Sequence, residues 1–97
     1  MNRKHRKSNH PGDILRRMYM EPLKLTVSAL AESLGVSRKT VSKIANERGA
    51  ITADMALRLS RAFDTTPELW LNLQQKHDIS VAITASGDWM KVEKIVA

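Results

Sequence analysis

Between residues 37 and 48 the chain sets out Ser37, Arg38, Lys39, Thr40, Ser42, Lys43, Asn46 and Arg48, with no acidic side chain before Glu47. Cations, hydroxyls and one carboxamide in this order suit the edges of base pairs. Arg or Lys reaches guanine O6 and N7, Asn pairs with adenine, and a hydroxyl serves either. These groups can read a sequence only if one rigid helix carries them into the major groove. A helical hairpin with a merely solvated polar face is the alternative.

The residues around this stretch are those that two short helices crossing at a steep angle require. Ala31 is small enough for a close crossing, and Gly35 suits a left-handed turn after the first helix. Leu30, Leu34, Val36, Val41 and Ile44 supply a small core that fixes the angle. Thr26 is the expected N-cap of the first helix, near whose start Ser28 lies, and Ser37 that of the second, which should end near Glu47. The spacing therefore predicts a helix-turn-helix over residues 27–45, with residues 38–46 as its recognition helix.

The flanks predict three more helices. Pro11 fits a first-turn position, Ile14, Leu15 and Met18 recur at helical spacing, and Glu21-Pro22 ends that helix. Thr52 caps a helix whose apolar face is Met55, Ala56, Leu59, Ala62 and Phe63. Thr66-Pro67 starts a fifth, with Leu69, Trp70 and Leu73 inward, Leu71 facing away, and room to extend past Lys76. Beyond Asp78, Ile79, Val81 and Ile83 alternate as in a strand, Gly87 breaks a continuous helix, and residues 89–97 read as a short helix or a strand. The expected architecture is all-α: a basic flexible arm over residues 1–9, a five-helix DNA-binding domain over 10–78, and an extension over 79–97. Leu71, Ile79, Val81, Ile83, Trp89, Val92, Ile95 and Val96 are left over from the core and suit a homodimer contact.

Charge supports the same reading. Of a net +6, residues 1–48 carry +7 and residues 49–97 carry −1, and a one-sided basic field is the footprint of a polyanion binder. The arm, with Arg3, Lys4, Arg6 and Lys7, either follows phosphates or only solubilises. Other classes find little support. No cysteine is present, which removes disulfides, thiolate zinc sites and thiol catalysis. His5, His10 and His77 share no metal-ligand spacing, and Asp13, Glu32 and Glu47 form no acid–base pair, so no enzyme, metal or other cofactor is expected. With no apolar run of membrane-spanning length and no secretory leader pattern, the expected compartment is the cytoplasm.

The segment from Val27 to Ala45 resembles the phage-repressor, or Xre, type of helix-turn-helix. Asn9-His10-Pro11-Gly12-Asp13-Ile14-Leu15, Glu21-Pro22-Leu23, the stretch from Ala50 to Leu59, and Thr66-Pro67-Glu68-Leu69-Trp70-Leu71-Asn72-Leu73-Gln74 narrow the likeness to HigA-type antitoxins, also called VapI-like. The resemblance covers about residues 9 to 78. It implies a five-helix phage-repressor-like fold, a homodimer on a palindromic operator in double-stranded DNA, repression of its own operon, and a cognate toxin, an mRNA endoribonuclease, as partner. A stand-alone repressor without a toxin is the alternative. A protein-interaction module is a third reading, and it conflicts with the basic first half. Val27 departs from the polar residue that phage-type motifs often carry there for phosphate, leaving Ser28 or Thr26 to make that contact.

Overall fold

His10 and Pro11 open the first helix: Pro11 lacks the N–H that a first-turn residue leaves unused, and Nδ1 of His10 accepts the Gly12 N–H at 2.8 Å. The computed structural model describes residues 10–96, so the expected basic arm lies outside the described residues. Helix α1, Pro11–Ile14, continues directly as a π-helical stretch, Leu15–Met20. The wider turn changes which side chains face inward. Leu15 and Met20 are buried and Tyr19 packs on the core, whereas Met18 is 60% exposed. The expected face of Ile14, Leu15 and Met18 assumed an ordinary α-helical period, and i→i+5 bonding breaks it.

Four further helices follow: α2 (Val27–Leu34), α3 (Arg38–Ala45), α4 (Ala53–Phe63) and α5 (Pro67–Ala85). Each begins at the hydroxyl cap expected of it. The side-chain oxygens of Thr26, Ser37, Thr52 and Thr66 accept from the N–H groups of Ala29, Thr40, Met55 and Leu69 at 3.0 to 3.2 Å. The ends share a different device. Leu25, Val36, Arg48 and Thr65 each donate their N–H to the carbonyl five residues back, at 2.8 to 3.0 Å. The residue before each is left-handed: Lys24 (φ 53°), Gly35 (φ 72°), Glu47 (φ 62°) and Asp64 (φ 55°). Because Glu47 turns left-handed, α3 stops at Ala45, two residues before the expected end.

The core forms where α1 and α4 meet α5 and where α2 packs on α3 and α4. Leu30, Ala31, Leu34, Val41, Ile44 and Leu59 are all buried, and each leucine, valine or isoleucine among them contributes about 1.5–3 kcal/mol. Trp70 is fully buried at the centre, with ring centroids 5.1 Å from Tyr19 and 6.3 Å from Phe63. Its indole N–H donates to the Thr65 hydroxyl at 2.8 Å, which satisfies the one polar atom it carries inside. Two expectations are corrected at the edge of this core. Ala62 is exposed, because the Phe63 ring beside Tyr19 fills the space and leaves Ala62 on the rim. Leu71, expected to face away, is half-buried and packs on the core.

Helix α5 is 19 residues long, about 28 Å at 1.5 Å per residue, and runs across the division expected at residue 78. Ile79, Val81 and Ile83 are therefore helical, not a strand, and all three are exposed. A strand needs a neighbour to pair its backbone, and no strand occurs among the described residues; a helix pairs its backbone internally. The helix ends before Ser86 and Gly87, and a 3-10 turn, Asp88–Lys91, follows. From Ile79 to Val96 only Ser80 is better than exposed. Among the described residues no helix is long and apolar enough to cross a membrane.

Candidate DNA-binding surface

Helix α3 owes its orientation to contacts at both ends. At its start the Ser37 hydroxyl caps Thr40 N–H and pairs with the Thr40 hydroxyl at 2.9 Å, so these two side chains brace the first turn. At its end the guanidinium of Arg16, from the π-helical stretch after α1, donates to the Ala45 carbonyl, to Asp13 at 3.0 Å and to Glu47 at 3.5 Å. Arg17 also binds Asp13, through Nε at 2.9 Å and Nη2 at 2.8 Å, and these bonds hold the Asp13 carboxyl below the usual carboxylate range. The turn before α3 is held from α4: Arg58 Nη1 donates to the Leu34 carbonyl at 2.7 Å, and its Nε to Asp54 at 2.8 Å.

On this frame the outer face of α3 is polar and cationic. Arg38, Lys39, Lys43, Asn46 and Arg48 are exposed, Ser37 is exposed at the cap, and Thr40 and Ser42 are half-buried. Ser28, exposed on the first turn of α2, accepts a long 3.4 Å bond from Arg38 Nη1. Together with Lys39, Ser42 and Val27, these two line one shallow depression across the start of both helices. Asn46 lies just past the last residue of α3 and donates from Nδ2 to the Ser42 hydroxyl at 3.2 Å. Arg48 stands in the loop beyond, tied through its backbone N–H to Lys43. Val27 is half-buried against the core, so its apolar side chain supports the helix pair while Ser28 brings the hydroxyl outward.

All the side chains expected to meet DNA thus lie on α3, its flanking residues or the start of α2. Arg16 and Arg58, which aim that surface, were not singled out by sequence reasoning. Their partners are carbonyls and acids 24 to 31 positions away, and no local spacing reveals such bonds. The Asp13–Arg16 pair at i,i+3 and the Asp54–Arg58 pair at i,i+4 are the local signs.

The surface is shallow, polar and cationic. The helix-turn-helix family model matches residues 17–70. An uncharacterised HTH-type transcriptional regulator of Haemophilus influenzae is 49% identical over 74 residues, which are 76% of this chain and 69% of that protein. The solved structure of antitoxin GraA in complex with its operator is 43% identical, covers all of both chains and superposes with a TM-score of 0.88. That of Pseudomonas aeruginosa antitoxin HigA with the higBA promoter is 38% identical, covering 93% of this chain and all of that one, with a TM-score of 0.87. The chain belongs to the helix-turn-helix family, among its HigA-type antitoxins.

Proposed function

We propose that this chain is an antitoxin that represses its own operon. As a homodimer it binds a palindromic operator in double-stranded DNA, and it neutralises a cognate mRNA-endoribonuclease toxin. The observation that carries the reading is the exposed face of α3, polar, cationic and held by Arg16 of the π-helical stretch and Arg58 of α4, in a chain that superposes on antitoxins solved with operator and promoter DNA. Ser28, Ser37, Arg38, Lys39, Thr40, Ser42, Lys43, Asn46 and Arg48 form the contact set. Arg38, Lys39 and Ser42, nearest the start of the helix, read base edges, and Lys43 and Arg48 meet phosphate. The work is binding without catalysis, and it takes place in the cytoplasm, where operator and toxin both are.

One recognition helix reads few base pairs, so specificity calls for two copies about 34 Å apart along the duplex. Ile79, Ile83 and Trp89 line an almost wholly apolar hollow with Ala82 on the overhanging half of α5, and this is the dimer contact. The toxin in this family is basic, as this chain is, so the neutral-to-acidic second half is the surface that receives it.

Co-expression with the product of the adjacent reading frame, followed by pull-down and footprinting on the upstream DNA, tests the whole reading. A protected palindrome and a stable complex are expected. A protected palindrome without a complex would leave a stand-alone repressor, the reading that relatives described only as transcriptional regulators would favour. No protection would remove both.

A further inference from the structure

Helices α2 and α3 converge at their first turns, and the depression between them is lined by Val27, Ser28, Arg38, Lys39 and Ser42. All but one of these are polar or charged. The exception is Val27, the first residue of α2. It is half-buried: part of its side chain packs on the core, and part forms a wall of the depression. The residues beside it have tasks of their own. The Thr26 hydroxyl caps α2, accepting the Ala29 N–H at 3.0 Å, and Ser28 Oγ and Arg38 Nη1 face each other at 3.4 Å. The isopropyl group of Val27 can bond neither a phosphate nor the polar edge of a base. The one apolar group that an ordinary base pair shows in the major groove is the C5 methyl of thymine.

We propose that Val27 is a specificity-determining residue: its side chain packs on the C5 methyl of a thymine in the base pair next to the one that Arg38 reads. The inference rests on the DNA-binding reading of α3. Arg38, Lys39 and Ser42 bring the start of α3 to the base edges, and Val27 shares their depression. A base pair that enters there meets an apolar wall beside polar ones. The C5 methyl stands at the outer edge of its pyrimidine, towards the backbone of its own strand. The side chain that covers it therefore needs a neighbour placed for phosphate, and Ser28, exposed and next in the chain, is that neighbour. Taking one methyl group out of water favours thymine over the same base without its methyl by about fourfold in affinity for each half-site.

The test removes that methyl and nothing else. Each thymine in a labelled duplex of the region upstream of this protein's own coding sequence is replaced in turn by deoxyuridine, and binding is read by fluorescence anisotropy at fixed salt. With the unaltered protein, affinity should fall about fourfold at one thymine in each half-site and hold at the others. That thymine should lie beside the base pair whose preference relaxes in Arg38→Ala. Val27→Ala, its fold checked by circular dichroism, should bind the thymine and deoxyuridine duplexes alike. A valine that only supported the helix pair would give a variant weaker on both duplexes that still tells them apart. In the complex of the unaltered protein, a nuclear Overhauser effect is expected between the Val27 methyls and the thymine methyl, and this measurement needs no variant. Indifference to every deoxyuridine, a sensitive thymine remote from the Arg38 base pair, a Val27→Ala variant that keeps the discrimination, or no methyl–methyl effect would each overturn the proposal and leave the DNA-binding reading standing. A duplex left unbound by the unaltered protein would sink both.

Discussion

Arg58 on α4 donates its guanidinium to the carbonyl of Leu34, the last residue of α2, at 2.7 Å. The same nitrogen lies 3.4 Å from the Gly35 carbonyl, and Asp54 one turn earlier on α4 steadies Nε at 2.8 Å. The turn of the helix-turn-helix is thus closed from outside as well as by its own glycine.

Gly35→Val should lose both stability and DNA binding. The position has φ +72°, and a Cβ there would lie 3.3 Å from Arg58 Nη1, so a β-branched side chain meets a strained backbone and displaces the guanidinium. A cost of about 1–3 kcal/mol is expected, read as a lower urea midpoint. An unchanged midpoint with full operator affinity would show that the turn tolerates what the geometry forbids.

Lys24→Gly should act in the opposite direction. Lys24 holds φ 53° at the end of the first helix and is exposed. Glycine takes up this conformation without the Cβ penalty, for a gain of up to about 1 kcal/mol; its greater freedom when unfolded returns part of that. A thermal midpoint below that of the parent would refute the account of the helix ends.

Much of this local chemistry was legible in the sequence. Thr26, Ser37, Thr52, Thr66-Pro67 and Gly35 each announce a helix boundary through their own side chain or its absence. Lys24, Glu47 and Asp64 do the work of Gly35 without looking like it, and so α3 ends before its sequence suggests. The π-helical turn exchanged Met18 for Tyr19 because its hydrogen bonds, not its residues, set the period. The second half of α5 looks alternating in sequence because no core lies against it, and without a core no 3.6-residue stripe is selected. For the surface, the residues of α3 were legible as a set. The long-range holds by Arg16 and Arg58 are not, since each joins elements far apart in the chain.

Operator affinity should fall linearly with salt on logarithmic axes, with a slope near −0.9 for each phosphate neutralised. Arg38, Lys39, Lys43 and Arg48 are the exposed cations placed to do this. Replacing Lys43 or Arg48 with Gln should reduce the slope by about one. Binding that hardly responds to salt would mean that α3 does not dock against the backbone of DNA.

Substitutions at base-reading positions should behave differently from those at phosphate contacts. Arg38→Ala, Lys39→Ala or Ser42→Ala should cost about 1–3 kcal/mol at one base pair and relax the preference there, whereas a lost phosphate contact weakens all sequences alike. Asn46→Ala also frees the Ser42 hydroxyl that its amide now engages, so these two positions should couple in a double-mutant cycle. An unaltered preference in all of these variants would put a different element in the groove.

Truncation after Asp78 should leave a folded, largely monomeric chain with much poorer operator binding. It removes Ile79, Ile83 and Trp89, which are about half exposed, and none of the buried core. Light scattering decides the matter: a dimer mass for both truncated and complete chains would rule out the α5 overhang as the contact.

The four helix ends that close on a carbonyl five residues back also bear on the order in which the chain assembles. Each stop is completed by atoms within one six-residue window, and the caps of the four long helices need only the residue three positions on. The bounds of each helix are thus encoded locally, while helices as short as the eight residues of α2 and α3 become stable only as they dock, above all around Trp70, Tyr19 and Phe63. Chains rich in such short-range contacts cross their barrier in about microseconds to milliseconds. Variants at the helix ends should therefore change the refolding rate, while variants in the late-docking aromatic cluster should be felt chiefly in how quickly the chain comes apart.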